Sequence, residues 1–234
     1  MLERRELQVT VFLAAAAIVW PLVTSAFGEA AAPEKISSYA PAEALVAQLN
    51  ASMEVLTEAL ADAATLEEEK KNFEKNSVTV VVIAQHLALH DEDQDLKAAA
   101  PAIFHKAKAL AEAEDFEAAQ AALAALQATL EGESSEAELP TWDPPVEMEP
   151  LMEQVGFLNS KLRRGVRRLK RNQDEIEQFS ATIAGLAQAV SPDLSFTGDE
   201  EDEKAWMKMC GEMRDAASAL RAAAVAGDED AANN

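Results

Sequence analysis

The chain has few of the residues that interrupt or cross-link a fold. Its 234 residues include eight glycines, nine prolines and one cysteine. Gly and Pro together make about 7% of the chain, against about 12% in average proteins. A β-sandwich needs many turns, so this shortage, with long runs of Ala, Leu, Glu and Lys, favours an all-α fold. The single Cys210 excludes an intramolecular disulfide framework and a zinc cluster built on cysteines.

Positive charge is also scarce. Twenty Lys and Arg residues face 42 Asp and Glu residues, which gives a formal charge of −22. This balance excludes a general nucleic-acid binder, which needs a cationic footprint. The sequence contains no nucleophile elbow, Gly-rich phosphate loop or Rossmann fingerprint. We therefore expect an acidic protein that is not an enzyme and does not bind nucleic acid.

The N-terminal residues have the pattern of an export signal. Two arginines precede an apolar run over residues 9–23. Fifteen helical residues span roughly 22 Å, less than the bilayer core of about 30 Å. Ala26 and Gly28 occupy the −3 and −1 positions of a signal-peptidase site. We expect residues 1–28 to be removed, leaving a periplasmic or secreted protein without a stable membrane anchor. An uncleaved anchor is the alternative, against which Pro21 argues.

Residues 36–132 are predicted to form a four-helix bundle. Apolar residues recur every three or four positions in each of four segments, as on one face of a helix. The second segment, residues 66–90, contains the β-branched stretch Val78–Ile83, but no turn residue interrupts it, so we assign it to a helix. The third covers residues 96–114. The fourth begins after Asp115, a typical N-cap residue.

Residues 133–150 separate this bundle from a second, related half. They carry six acidic residues, no basic residue and four prolines, a composition typical of a stiff linker. Residues 151–234 then repeat the earlier pattern at offsets of 103 to 113 residues. The matches pair Val46-x-x-Leu49-Asn50 with Val155-x-x-Leu158-Asn159, Ile83-Ala84-Gln85 with Leu186-Ala187-Gln188, and Asp115…Ala118-Ala119 with Asp228…Ala231-Ala232.

The second half is shorter at its end. The first half continues thirteen residues beyond Ala119, and the second half only two beyond Ala232. We therefore expect an all-α fold of two tandem up-and-down four-helix bundles, the second lacking most of its fourth helix. Either the chain is truncated, or a partner helix or a second copy fills the groove, which would give a homo-oligomer or a complex.

Three stretches resemble exported bacterial proteins related to cytochrome c prime. They are Val82–Asp93, Ala100–Leu110 and Trp206–Ala217. The resemblance implies tandem four-helix bundles in which the last helix ends in Cys-x-x-Cys-His, a motif that attaches haem c. It also implies electron transfer or small-gas binding. This chain lacks the motif, so no haem is predicted for the chain as given.

Other haem contacts are weak. If haem is present, Leu162, Met209 and Met213 are the candidate pocket wall. Met53 occupies a position similar to the axial Met of b-type four-helix cytochromes. No histidine is found near residue 134 to serve as the opposing ligand, and Met53 is more simply a core residue.

The three histidines are candidate metal ligands. His86 and His90 are four residues apart, which places them on one helix face at a spacing that binds zinc. His105 on the next helix could approach them. Chance placement of the three is the more frequent explanation of such a pattern.

Two charged segments complete the candidates. Residues 91–95 resemble the start of a calcium loop, but Leu96 stands where the loop needs Gly, so solvated acids near a helix start are the stronger interpretation. Residues 161–171 hold seven basic residues around a predicted apolar stripe. Such a run could bind a membrane, a nucleic acid or an acidic protein. Within a chain of −22, we expect it to pair internally or to orient an acidic partner.

Overall fold

The computed structural model describes residues 35–132 and 136–233, and in these ranges the only regular elements are helices. The all-α prediction is confirmed. The predicted signal, residues 1–28, lies outside the described residues. No helix in the described ranges is both long and apolar enough to cross a bilayer.

The first half contains five helices. They are α1 (Ile36–Tyr39), α2 (Ala42–Ala59), α3 (Ala63–Leu89), α4 (Ala100–Ala111) and α5 (Phe116–Leu130). Carboxylates cap two of them, since the side chain of Asp62 accepts a hydrogen bond from the Thr65 amide and that of Asp115 from the Ala118 amide. Both bonds satisfy amide groups that a helix N-terminus leaves without a partner.

Two helices show how context decides local structure. The β-branched stretch Val78–Ile83 is helical and buried on all sides, as predicted, because it lies in the middle of α3 between other helices. Helix α4 begins at Ala100, four residues later than predicted, with Pro101 in its first turn. Proline is favoured there because the first-turn amides need no intrahelical acceptor. The acidic residues 91–95 consequently lie in a non-helical connection.

The second half contains four helices and one 3-10 segment. They are α6 (Met148–Gly165), the 3-10 segment (Val166–Arg171), α7 (Gln173–Val190), α8 (Glu200–Ala226) and α9 (Glu229–Ala232). The backbone of Arg168 leaves helical geometry, with φ −139° and ψ 49°, and separates α6 from α7. Gly227 ends α8 in the left-handed region, at φ 67°, where glycine carries no steric penalty.

Successive helices pack on one another in both halves. Helix α3 packs against α2 and α4, and α4 against α5, while α7 packs against α6 and α8, and α8 against α9. The halves also touch, since α2 contacts α7, and α3 contacts both α6 and α7. Buried apolar residues of both halves therefore belong to one continuous core, which includes Met53.

The segment of residues 136–147 between α5 and α6 is not helical. It lies against α3 and α4. The side-chain amide of Gln85 donates to the carbonyl oxygens of Thr141 and Asp143, at 2.6 and 3.2 Å. The ring of Trp142 packs edge-on against His86, with centroids 5.2 Å apart. These contacts attach the segment to the first half.

Candidate functional site

The residues of the predicted pocket wall lie at a groove between α6 and α8. Helix α8 runs antiparallel to α7, because the side chain of Gln173 at the start of α7 donates to the carbonyl oxygen of Val225, and that of Trp206 donates to the carbonyl oxygen of Val190 at the end of α7. At one end of the groove is a cavity of about 320 Å³. Its lining includes Asn159, Leu162, Arg163, Val166, Leu220 and Ala232.

Helical periodicity predicts that this face continues toward the other ends of the two helices. Met152 precedes Asn159 by seven residues on α6, and Met213 precedes Leu220 by seven on α8. Seven residues are about two turns, so each methionine continues the line of its partner about 10 Å along the helix. Met209, one turn before Met213, continues the same line. We call this surface the α6–α8 groove.

Apolar side chains in the α6–α8 groove remain partly open to solvent. Met209 is 55% exposed and Met152 is 39% exposed, whereas Leu162 at the base is 4% exposed. Met213 and Leu220 are half-buried. Of the predicted pocket wall, Leu162 thus belongs to the core, and the two methionines lie on α8 at the groove. Methionine is flexible and adapts to varied apolar partners.

The α6–α8 groove does not supply the ligands of a covalently bound haem. Cys210, the chain's one cysteine, is 2% exposed on α8, and burial raises the pKa of its thiol to about 11. The three histidines of the chain all lie in the first half. Attachment through two thioethers and an iron-bound imidazole therefore has no donors here, and the residues present do not fit haem c.

His86 is enclosed in the core where the two halves meet. Its Nδ1 donates to the carbonyl oxygen of Val82 at 2.9 Å, which leaves Nε2 as an acceptor. Nε2 has no hydrogen-bond partner among the described residues. It faces Gly185 on α7, where an added Cβ would lie 3.6 Å away. Burial lowers the pKa of His86 to about 4, so this imidazole is neutral at physiological pH.

The other two histidines have separate partners. His90 Nε2 is 3.2 Å from the carbonyl oxygen of Ala40, and its Nδ1 accepts from the amide of Glu92. His105 is exposed on α4, with Nε2 3.2 Å from the carbonyl oxygen of Glu138. In the described part of the chain, no group of three or more His, Cys, Asp or Glu side chains is arranged to hold a metal ion.

Asp91 has a structural task. It accepts hydrogen bonds from the amide and the hydroxyl of Ser37, at 2.8 and 2.6 Å. Partial desolvation raises the pKa of Asp91, but these bonds outweigh it and hold the pKa below its ordinary value. The first acid of the calcium-like segment therefore ties the connection before α4 to α1.

The basic run lies where α6 gives way to the 3-10 segment. Its apolar members Leu162, Val166 and Leu169 are buried, as the predicted stripe requires, and its seven basic residues are exposed. Internal pairing was one expectation for these cations. Among the described residues, one ion pair involves the run, between Lys170 and Glu229 at 3.5 Å.

Several residues of these sites were not singled out from the sequence. Met152 and Leu220 could have been found from the sequence, because a spacing of seven residues places them on the same helix faces as Asn159 and Met213. The roles of Gln85 and of the contact between Trp142 and His86 could not be predicted, because they depend on where the segment of residues 136–147 folds back.

Comparison with family models, curated proteins and solved structures gives no match to this chain.

Proposed function

We propose that the protein is an exported, non-enzymatic interaction module whose α6–α8 groove is covered by the same groove of a second copy. The observation that carries the proposal is the pair of exposed methionines, Met152 and Met209, on the two helices that border a cavity. A contiguous exposed apolar surface is typical of an interaction site, and we propose that these two side chains belong to one such surface.

A difference between the halves supports this function. In the order of packing, α2 to α5 correspond to α6 to α9, and we propose that they are two copies of one helical unit. Helix α5 buries Leu123 and Leu126, whereas α9 has four residues and buries none. Among the described residues, no helix longer than α9 follows α8, and in our proposal the groove lies where a longer one would pack.

Charge favours a second copy that approaches through this face. Residues 36–132 carry 6 basic and 17 acidic residues, a net −11, while residues 151–234 carry 11 and 15, a net −4. Two copies that meet through their second halves therefore repel each other less than in any arrangement that brings the first halves together.

A twofold axis near Met209 also aligns opposite charges. Arg163 and Arg167 border the cavity beside Leu220, about 16 Å along α8 from Met209. In an isologous dimer, the first turn of α8 in the second copy lies about 9–14 Å on the other side of the axis, slightly nearer to it than the arginines. That turn carries four acidic residues, Glu200, Glu201, Asp202 and Glu203. The arginines of each copy would thus face the acids of the other.

The size of the face indicates a weak dimer. Helix α6 has 18 residues, about 27 Å, and two helices side by side are about 20 Å wide. A contact of roughly 500 Å² from each copy lies at the lower end of specific interfaces. We expect association in the micromolar range.

Sedimentation velocity between 1 and 100 µM tests this function. The wild-type protein is expected to shift from monomer to dimer, and M209E to remain monomeric because it places two carboxylates at the twofold axis. M207E is the matched control. Met207 is 44% exposed, but it lies about 200° around α8 from Met209 and outside the groove. A wild-type monomer at 100 µM, or equal dissociation of both variants, would contradict the proposal.

Export is tested independently. We expect the protein recovered from the periplasm or the medium to begin at Glu29, after removal of residues 1–28. Intact-mass measurement distinguishes this form from the full chain. Recovery of the full-length mass from a membrane fraction would contradict cleavage. The haem function implied by the cytochrome resemblance stays a prediction, and no observation on the described residues favours it.

A further inference from the structure

A second site adjoins the α6–α8 groove at the 3-10 segment, and Arg167 lines both. A recess of about 610 Å³ is lined by Lys161, Arg164, Arg167 and Arg168, together with Gly165, Asn172 and Glu175. We call this recess, with its four basic residues, the cationic recess. All four are exposed, in a chain whose formal charge is −22. Such a local concentration of positive charge in an acidic chain indicates a specific role.

Intramolecular pairing does not account for the cationic recess. In the described ranges, none of its four cations forms an ion pair with a carboxylate, although Glu175 lines the same recess. By contrast, basic residues elsewhere often pair, as Lys108 does with Glu112, Lys204 with Glu200 and Lys208 with Glu212. The cations of the recess thus retain free donors for an external anion.

The backbone holds these cations in place. The flanking residues Leu162, Val166 and Leu169 are buried in the core and anchor both the end of α6 and the 3-10 segment. The change of backbone direction at Arg168 replaces the regular spacing of a helix with a bend around the recess. Lys161 is further held over the rings of Phe157 and Phe179, with its Nζ 5.1 and 5.7 Å from the centroids.

The start of α7 adds polar donors on the same side. The side chain of Asn172 does not cap α7, because its amide donates to the carbonyl oxygen of Gly165 at 3.1 Å. First-turn amides of α7 therefore have no side-chain acceptor from their N-cap residue, and helix N-termini attract anions. These backbone amides complement the basic side chains of the cationic recess.

We propose that the cationic recess binds a phosphate-bearing ligand with several negative charges. Arginine presents parallel N–H donors that match the oxygen atoms of phosphate, and three arginines converge with one lysine on a volume that exceeds a single phosphate group. The apolar residues of the run are buried rather than exposed, so recognition of a lipid would involve its headgroup and not insertion of side chains among acyl chains.

Isothermal titration with sodium tripolyphosphate at 50 mM salt tests the proposal. The triple variant K161Q/R164Q/R168Q is compared with the control K108Q/K204Q/K208Q, which removes the same number of charges from paired lysines. We expect wild type and control to bind within twofold of each other and the recess variant to bind at least tenfold more weakly. Circular dichroism at 222 nm checks that both variants retain their helices.

A second arm distinguishes the source of the phosphate. Co-sedimentation with vesicles of phosphatidylglycerol and phosphatidylcholine, against vesicles of phosphatidylcholine alone, reports binding to headgroups. Recess-dependent binding of either tripolyphosphate or phosphatidylglycerol supports the proposal, and the preferred probe identifies the source.

Three outcomes would overturn the proposal: no binding of either probe, equal weakening in the recess and control variants, or tighter recess-dependent binding of a single-stranded 12-mer DNA than of tripolyphosphate. Because Lys161, Arg164 and Arg168 do not line the cavity of the α6–α8 groove, loss of phosphate binding with retained dimerisation separates this inference from the proposed function.

Discussion

The two halves of the protein use similar helices but cover them differently. In the first half, α3 is buried along much of its length, and α5 contributes Leu123 and Leu126 to the core. In the second half, α8, which the proposed repeat aligns with α4, buries only four of its 27 residues, whereas α4 buries seven of its 12. Helices that the proposed repeat aligns therefore differ in how much of their surface neighbouring helices cover.

The largest expected effect is on a core leucine of the first half. Leu126 on α5 is fully buried, and L126A removes apolar contacts and leaves a cavity, which typically costs about 2–5 kcal/mol. Leu220 on α8 borders an open groove, so L220A is expected to cost about 1 kcal/mol. Urea unfolding at 0.5 µM protein measures both. Equal losses of unfolding free energy in the two variants would show that the groove is packed as closely as the core of the first half.

Some of this contrast could be predicted from the sequence. The N-cap Asp115 correctly predicted that α5 begins directly after it, and the absence of turn residues identified α3 despite its β-branched stretch. The break at Arg168 could not be predicted, because the basic run continues a regular helical pattern through it. The core that the two halves share could not be predicted either, because it depends on how α2 and α3 pack against α6 and α7.

The second prediction concerns His86, which lies where the halves meet. Its pKa is about 4 in the folded protein and about 6.5 when unfolded. Between these values the unfolded chain binds more protons, so stability falls as the pH falls from above 6.5 to about 4. The full loss from this group is about 3 kcal/mol.

Urea unfolding at successive pH values from 7.5 to 4 tests this prediction. H86Q has no titratable group at this position and is expected to lose less stability over that interval than wild type. H105Q, at an exposed histidine, is expected to follow the wild-type curve. Parallel curves for wild type and H86Q would contradict the assigned burial of a neutral imidazole.

The smallest expected effect compares two caps at positions that the proposed repeat aligns. Asp115 caps α5 by accepting from the Ala118 amide at 2.8 Å, and Asp228 caps α9 by accepting from the Asp230 and Ala231 amides. D115A is expected to cost about 1 kcal/mol. D228A is expected to cost close to zero, because α9 buries no residue. Thermal unfolding measures the pair, and a larger loss for D228A would indicate that α9 stabilises the second half.

Hydrogen–deuterium exchange at different protein concentrations tests the central claim most directly. If a second copy covers the α6–α8 groove, raising the concentration from 1 to 100 µM should slow exchange in peptides from residues 148–165 and 205–220. Exchange in residues 116–130 of α5 should stay constant. Concentration-independent exchange in all three segments, or slowing confined to α5, would contradict the claim that the open face of the second half is the interface.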